Sequence, residues 1–360
     1  DFEFRPIAGR IPYDLLLAEG HGLPPAPQLL RLGPMPASRR LQQWIAACDG
    51  PQLLISEGDP RNLDAGLAAT ERWCFGLEAW VQARLGSEGA LVAEDELQAS
   101  LPGSVVPDGL RPTPAVGQVP LTDRSQRSPA PESLGLRDRW LDCDAACQRA
   151  LDAELIGCAP SEPALARRLS RALPAWLPLM LASSSPVRDW ESFAAADAPQ
   201  RPVFGFRGAS GIDGTLSLAA GLACSAGALV LLTGDLALLH DANGWLWRRQ
   251  LEARGVRLCV VLVDNGGGGI FEQLPIRLEG DSPLDFERLF AMPQPVEALA
   301  LAAAYGVPAR RLGAWSGLAG DLAWALEQPL ALLELRTDRQ QDALQRHALR
   351  RMAHAPSPLP

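Results

Sequence analysis

The 360-residue sequence contains no lysine, so all 33 of its basic residues are arginines. Every cationic site must therefore use the planar guanidinium group, which binds carboxylates and phosphates through paired hydrogen bonds. Acidic residues outnumber the arginines, and the formal net charge is -9 at pH 7. That charge argues against a general nucleic-acid surface or an anionic-membrane surface. We therefore expect neither nucleic acid nor a membrane as a partner.

Long uninterrupted apolar segments are also missing. The longest apolar stretch, residues 216–232, is broken by serines and glycines, so it predicts a helix and then a buried strand rather than a membrane span. The seven cysteines are scattered. Cys143 and Cys147 are one helical turn apart, but no second Cys or His pair lies at zinc-site spacing. Such thiols are typical of a reducing compartment, and no secretory signal is recognisable, so we expect a cytoplasmic protein.

The C-terminal half alternates apolar runs with helical patterns. Runs that predict buried parallel strands lie at residues 201–206, 228–234, 256–265 and 330–338. Helical patterns lie at residues 215–225, 296–305 and 318–327. This alternation predicts a doubly wound parallel sheet, which binds its ligand at the carboxyl ends of the strands.

The N-terminal half follows the same pattern more weakly. Residues 27–33 and 51–59 predict strands, and residues 37–48 between them predict an amphipathic helix. Residues 100–135 are rich in Pro, Ser and Gly and predict a long surface connection, followed by a helical segment over 144–175. The predicted fold class is α/β, with two doubly wound parallel-sheet domains at residues 1–135 and 136–360.

Two polar residues follow neighbouring predicted strands. Asp235 comes directly after one strand and Asn265 ends the next, so both side chains are expected in one crevice. A carboxylate, an amide oxygen and a backbone carbonyl from the glycine run 266–269 are hard oxygen ligands that suit Mg²⁺. The glycines also allow a diphosphate to approach the backbone closely. The alternative is an ordinary doubly wound domain in which such a pair arises by chance.

Four sequence motifs carry a resemblance to a known family. Gly234-Asp235-Leu236 and, after 27 further residues, Asp264-Asn265 resemble the motif of thiamine-diphosphate enzymes. Residues 206–214 (FRGASGIDG), 183–190 (SSSPVRDW) and 33–44 (GPMPASRRLQQW) resemble one branch, the MenD family of 2-succinyl-5-enolpyruvyl-6-hydroxy-3-cyclohexene-1-carboxylate synthases. The resemblance covers most of the chain. It implies a thiamine-diphosphate-binding fold, with residues 1–135 as part of a middle domain and 136–360 as the diphosphate- and metal-binding domain.

The resemblance also assigns roles to single residues. It implies thiamine diphosphate and Mg²⁺ (or Mn²⁺) as cofactors, with the metal held by Asp235, Asn265 and the carbonyl of Gly267. It implies a cofactor-binding set that comprises Gly208, Ser210, Gly211, Ile212, Gly234, Asp235, Leu236, Asn265, Gly267 and Gly268. The catalytic apolar wall beside the cofactor ring would be formed by Ile270, Phe271 and Leu274. Substrate carboxylates would be held by Ser184, Arg188, Arg207, Arg39 and Arg40.

The reaction that the resemblance implies is the decarboxylation of 2-oxoglutarate and the conjugate addition of the succinyl carbanion to isochorismate, in menaquinone or phylloquinone biosynthesis. The superfamily binds its cofactor between two chains, which implies a homodimer or homotetramer. In that superfamily an N-terminal domain supplies a cofactor-activating glutamate. We recognise no such domain here and expect this chain alone to be inactive.

Two alternatives and some departures stay open. The chain is alternatively a thiamine enzyme that decarboxylates another 2-oxo acid, or a non-catalytic domain with this fold. Asp264, Gly266 and Gly269 stand where the family commonly has other residues, which predicts a looser glycine loop. His240, six residues into the motif, is predicted to serve in packing or behind the site.

Overall fold

The computed structural model describes residues 13–17, 26–33, 38–59, 63–64, 68–85, 131–205, 211–274, 277 and 284–352. The chain divides into two compact units. The large unit comprises Asp1–His21 and Asp142–Pro360, and the small unit comprises Gly22–Leu141. This division differs from the predicted boundary after residue 135, and it assigns the first 21 residues to the large unit. The functional roles given to the two predicted domains stay predictions.

The strands and helices of the described residues have the following bounds. The strands are β1 (Leu29–Leu32), β2 (Gln52–Ile55), β3 (Glu71–Trp73), β4 (Leu179–Leu181), β5 (Val203–Gly205), β6 (Ala228–Gly234), β7 (Arg257–Asp264), β8 (Ala309–Arg311) and β9 (Leu330–Arg336). The helices are α1 (Tyr13–Leu16), α2 (Arg39–Ala46), α3 (Gly76–Leu85), α4 (Pro131–Leu155), α5 (Glu162–Ala172), α6 (Ser185–Phe193), α7 (Thr215–Ala226), α8 (Asp235–His240), α9 (Arg248–Ala253), α10 (Ala298–Ala304), α11 (Leu318–Leu326) and α12 (Arg339–Met352). Short 3₁₀ helices cover Ala242–Trp247, Gly269–Gln273 and Trp315–Gly317, and a π-helical turn covers Glu287–Ala291.

The large unit is built on a six-stranded sheet with the order β5-β4-β6-β7-β9-β8, and every pair of neighbours is parallel. Alternate residues of each central strand point to opposite faces. Val261 of β7 belongs to a core cluster with α5, α6 and α11, whereas Val260 belongs to a cluster with α7, α9 and α10. Helices cover both faces, so the predicted parallel, doubly wound α/β fold is confirmed in the large unit.

The topology of this sheet marks a crevice. From β4 the chain crosses to β5 on one side, and it then returns to β6 on the other side of β4. The strand order therefore reverses between β4 and β6. Ligands of open α/β sheets bind at such a reversal, outside the carboxyl ends of the strands.

The small unit contains a three-stranded parallel sheet with the order β1-β2-β3. The predicted strands at 27–33 and 51–59 and the predicted helix at 37–48 correspond to β1, β2 and α2. Helix α2 begins after Ser38, whose hydroxyl accepts a hydrogen bond from the backbone N–H of Leu41 at 3.2 Å and so caps the helix. The fold of this unit is parallel α/β, as expected.

Several elements were not predicted. Strands β3, β4 and β8 have three residues each, and the polar helix α12 carries no apolar run. The predicted connection over 100–135 lies mostly outside the described residues, but its last residues begin α4. The single helical segment predicted over 144–175 is two helices, because Ser161 caps a new helix after Leu155 ends the first.

The described part of the chain contains no helix that is both long and apolar enough to cross a membrane. Its seven cysteines all carry free thiols.

Candidate functional site

Three of the predicted site residues lie at the carboxyl edge of the large sheet. Ser184 follows β4, Asp235 follows β6, and Asn265 follows β7. Because these strands are parallel neighbours, their carboxyl ends meet at one edge. The crevice that the topology defines is therefore the one in which the sequence predicts the site.

Asp235 joins the loops that follow β6 and β7. Its Oδ1 accepts a hydrogen bond from the backbone N–H of Leu236 at 2.7 Å, and its Oδ2 accepts one from the N–H of Gly267 at 2.7 Å. Burial raises the pKa of Asp235 to about 6, and the negative charges of Asp264 and Glu162 act in the same direction, although the two N–H groups oppose this rise. Asp235 is thus a partly buried carboxylate with other negative charges nearby, an environment that favours a cation.

Asn265 is buried, with 8% of its surface exposed. Its Nδ2 donates a hydrogen bond to Oε1 of Glu162 at 2.7 Å. Its Oδ1 is buried, and no donor from the described residues reaches it. A buried amide oxygen without a partner costs on the order of 1–3 kcal/mol. This cost is removed when a ligand coordinates the oxygen, so Asn265 fits the role of a cation ligand.

The glycine loop after β7 requires glycine at two positions. Gly266 and Gly267 have positive φ angles of 80° and 122°, which L side chains rarely adopt. A Cβ on Gly267 would lie 2.1 Å from the carbonyl oxygen of Ala291. Two hydrogen bonds hold the loop, since Gly268 N–H donates to Ala291 O at 2.6 Å and Gly269 N–H donates to Gly267 O at 2.9 Å. The predicted looseness of the loop stays a prediction.

The predicted metal ligands of this site are all oxygen atoms, which suit a hard cation. Among the described residues, no group of three or more His, Cys, Asp or Glu side chains is arranged to hold a metal. The predicted ligands comprise one carboxylate, one amide and one backbone carbonyl. Mg²⁺ commonly uses one or two carboxylates and completes its octahedral shell with phosphate oxygens and water. The residues present therefore fit such an ion together with a diphosphate.

Two predicted substrate-binding residues lie together beside the crevice. Ser184 has a φ of 77°, a strained value for a residue other than glycine, and it precedes α6. The exposed side chain of Arg188 donates a hydrogen bond from Nη1 to the carbonyl of Ser184 at 2.7 Å. This contact fixes the guanidinium group near the end of β4. Its role toward a substrate stays a prediction.

The predicted apolar wall lies on the 3₁₀ helix Gly269–Gln273 and on Leu274, the residue that directly follows it. Phe271 packs edge-to-face against Phe290 with 5.7 Å between ring centroids, and Phe290 stacks on Phe286 at 5.4 Å. Ile270 is half-buried, and Leu274 is 39% exposed. The three predicted wall residues thus lie within five consecutive positions of the chain, and their catalytic role stays a prediction.

The remaining predicted residues lie in several parts of the chain. Gly211 and half-buried Ile212 form the turn before α7, where the Thr215 hydroxyl donates to the Ile212 carbonyl at 3.0 Å. Arg207, Gly208 and Ser210 lie outside the described residues. Arg39 and Arg40 begin α2 in the small unit. His240 is exposed at the end of α8.

The sequence did not predict the charged residues behind Asn265. Arg339 donates hydrogen bonds to the carbonyl of Gly266 at 2.7 Å and to Glu272 at 2.9 Å. About two helical turns after Arg339 on α12, Arg346 contacts Glu162 at 2.9 Å. These arginines and Glu162 lie within helical segments, and no sequence motif marks them. Only burial in the fold identifies them.

A doubly wound parallel sheet with a carboxylate, a buried amide oxygen and a glycine loop at its carboxyl edge is typical of α/β domains that bind phosphate-bearing cofactors. Comparison with known proteins narrows this class. The 2-succinyl-5-enolpyruvyl-6-hydroxy-3-cyclohexene-1-carboxylate synthase of Synechococcus sp. (strain RCC307) is 50% identical over 341 residues, which cover 94% of this chain and 51% of that protein. The synthase of the same name from Synechococcus sp. (strain CC9311) is 47% identical over 343 residues, which cover 94% of this chain and 53% of that protein.

Over that stretch the chain is similar to these synthases. The chain spans about half the length of the curated relatives it matches. No family model matches it. Among solved structures, a benzoylformate decarboxylase from Polynucleobacter necessarius aligns with 49% of this chain and 33% of its own, at 19% identity and a TM-score of 0.41. A likeness of that extent does not define the fold, which follows from the sheet topology itself.

Proposed function

We propose that this chain binds thiamine diphosphate and a divalent cation, Mg²⁺ or Mn²⁺, and serves the reaction after which its relatives are named. That reaction would decarboxylate 2-oxoglutarate and add the four-carbon remainder to isochorismate in menaquinone or phylloquinone biosynthesis. The observation that carries the proposal is the buried, unpartnered Oδ1 of Asn265 next to the Asp235–Gly267 hydrogen bond. The 50% sequence identity to the synthase of Synechococcus sp. (strain RCC307), over 94% of this chain, supports the choice of this reaction.

In this proposal Asp235, Asn265 and the Gly267 carbonyl hold the cation, and the cation holds the diphosphate. The bound cofactor would supply the means of stabilising negative charge at the former keto carbon. The protein supplies binding, orientation and exclusion of water. Gly208, Ser210, Gly211, Gly234, Leu236 and Gly268 would provide backbone contacts to the cofactor, and Ile212 would pack against it. The apolar surface of Ile270, Phe271 and Leu274 would keep water from the reacting atoms.

The two proposed substrates bear several carboxylates, which arginine recognises through paired hydrogen bonds. Arg188 is exposed beside the crevice and already bonds to the backbone at Ser184, so little side-chain entropy is lost when it binds a substrate. Arg207, Arg39 and Arg40 are proposed for the same task on the family resemblance alone. We also propose that the protein acts in the cytoplasm, a proposal that its seven free thiols support.

The protein that carries this chain, supplied with thiamine diphosphate and Mg²⁺, should convert 2-oxoglutarate and isochorismate to the synthase product, detected by mass spectrometry. Pyruvate should not replace 2-oxoglutarate. Arg188→Ala should raise the KM for 2-oxoglutarate by about 10-fold or more, since a charge-assisted hydrogen bond contributes roughly 1.5–3 kcal/mol. Decarboxylation of pyruvate in preference to 2-oxoglutarate would instead assign the chain to another branch of thiamine enzymes.

A second copy of this chain is the proposed partner, in a homodimer or homotetramer. Three large apolar side chains are exposed on α7 and the 3₁₀ helix beside it: Leu218 at 48%, Leu246 at 68% and Trp247 at 44%. The Trp247 indole donates to the hydroxyl of Ser217 at 3.2 Å, which fixes the ring on this surface. Aromatic and aliphatic side chains held rigidly in this way are typical of protein interfaces.

Leu246→Glu should therefore shift the protein toward the monomer in sedimentation velocity experiments, because a carboxylate cannot be buried in an apolar interface without a large cost. Leu344→Glu is the matched control, since Leu344 is 63% exposed on a different helix, α12. It should leave the oligomeric state unchanged. Equal sedimentation of both variants and the unmodified protein would refute this surface as the interface.

A further inference from the structure

Asn265 is oriented by a residue far away in the sequence. Glu162 opens α5, directly after its cap residue Ser161, and its Oε1 accepts the hydrogen bond from Asn265 Nδ2 at 2.7 Å. The two residues are 103 positions apart. Both are buried, with 4% of Glu162 and 8% of Asn265 exposed. The contact is therefore made in an environment where water does not compete for the amide.

Glu162 is itself held on its other side. Its Oε2 contacts Nη2 of Arg346 at 2.9 Å, and its backbone N–H donates to Oδ1 of Asp342 at 3.1 Å. Arg346 also forms paired hydrogen bonds with Asp189, at 2.8 Å and 2.5 Å. Asp342 and Arg346 lie one turn apart on α12, so a single helix fixes both the backbone and the carboxylate of Glu162.

When an arginine holds one oxygen of a carboxylate, the other oxygen can accept a hydrogen bond but cannot donate one. The Asn265 amide must therefore turn its N–H toward Glu162, which directs Oδ1 away from it. In the described part of the chain that oxygen has no donor. If the Asn265 amide were turned over, its Oδ1 would face Oε1 of Glu162 at about 2.7 Å, and two oxygens would repel each other. The hydrogen bond thus selects which atom of the amide is available to a ligand.

We propose that Glu162 is a positioning residue of the cation site: it holds the Asn265 amide so that Oδ1, and not the N–H group, faces the ion. This inference rests on the proposed cation site and adds a residue to it. Glu162 would not touch the ion. Its effect would be transmitted entirely through the orientation of Asn265.

The test exchanges donor and acceptor across this contact. In Glu162→Gln, the oxygen of the new glutamine amide should turn to Arg346, so that its NH₂ group faces Asn265. The Asn265 amide must then point Oδ1 toward this NH₂ group and its own N–H toward the ion. We expect Mn²⁺ affinity to fall about 10-fold or more. In Glu162→Gln combined with Asn265→Asp, the new NH₂ group donates to one carboxylate oxygen and the other faces the ion. This double variant should recover most of the affinity.

The affinities are measured by equilibrium dialysis of the whole chain against Mn²⁺, at one pH and with a fixed concentration of thiamine diphosphate. Asp342→Asn is the control for general loosening, because it removes a charge from the same buried cluster while the asparagine oxygen can still accept the hydrogen bond from the Glu162 backbone N–H. It should lower the unfolding temperature and leave Mn²⁺ affinity within about twofold. Thermal unfolding of each variant verifies that it is folded.

Recovery by the double variant, with Asp342→Asn unaffected, supports the inference. If Mn²⁺ binds the unmodified chain and is lost in Asp235→Asn, but Glu162→Gln binds equally well, the positioning role is refuted and the proposed cation site stands. An equal loss in Glu162→Gln and Asp342→Asn, or a folded double variant that stays weak, also refutes it. If the unmodified chain does not bind Mn²⁺, both the site and the positioning role are refuted.

Discussion

Asp235→Asn should weaken Mn²⁺ binding, measured in the presence of thiamine diphosphate, by on the order of 100-fold, which corresponds to about 2.8 kcal/mol. The substitution keeps the shape of the side chain but removes the one carboxylate among the proposed ligands. Affinity for hard cations depends strongly on the number of charged oxygen ligands. The variant can still accept one of the two hydrogen bonds that Asp235 receives from Leu236 and Gly267, so the fold should persist.

Asp241→Asn is the matched control for Asp235→Asn. Asp241 directly follows α8, and its carboxylate accepts hydrogen bonds from the N–H of Ser217 at 2.6 Å and from the Ser217 hydroxyl at 3.0 Å. The same chemical change at this position should leave Mn²⁺ affinity within about twofold. If Asp235→Asn binds Mn²⁺ as well as Asp241→Asn does, Asp235 is not a ligand.

Arg346→Met should lower the free energy of unfolding by about 3–5 kcal/mol. Arg346 is 1% exposed and contacts the buried carboxylates of Glu162 and Asp189, with Asp342 nearby on the same helix. Burial raises the pKa of Asp189 to about 6 even with Arg346 beside it. Without the guanidinium group these carboxylates are left buried and uncompensated. Because whole proteins are stable by only about 5–15 kcal/mol, the loss should be plain in urea unfolding.

Arg351→Met provides the comparison for Arg346→Met. Arg351 lies on the same helix and is exposed. Surface substitutions of this kind usually change stability by no more than about 0.5 kcal/mol. An equal, small effect of both substitutions would contradict the view that Arg346 neutralises a buried acidic cluster.

The residues at the ends of strands could be predicted from the sequence. The apolar runs of β6 and β7 are long and continuous, so Asp235 and Asn265 were recognisable where those runs end. Strand β4 was missed because it has only three residues, and the edge strand β8 because its residues Ala309–Arg311 are mostly polar. Short strands carry too few residues to show a period.

The support behind the site could not be predicted in the same way. Glu162 and Asn265 are 103 residues apart, and Arg346 and Asp189 are 157 residues apart. Helix α12 looks like an ordinary polar surface helix in the sequence, yet Asp342, Arg346 and Leu349 on one face are buried. Only the packing of this helix beside α5 and the 3₁₀ helix after the glycine loop places its charges next to the proposed site.

The most direct test of the account is a crystal structure of the protein that carries this chain, grown with Mn²⁺ and thiamine diphosphate, with anomalous scattering used to locate the metal. We expect one strong Mn²⁺ peak within coordination distance of an Asp235 carboxylate oxygen, Asn265 Oδ1 and the Gly267 carbonyl, with the diphosphate against the glycine loop. A cofactor and metal bound away from these three oxygens, or an Asn265 amide whose N–H group faces the ion, would contradict the account.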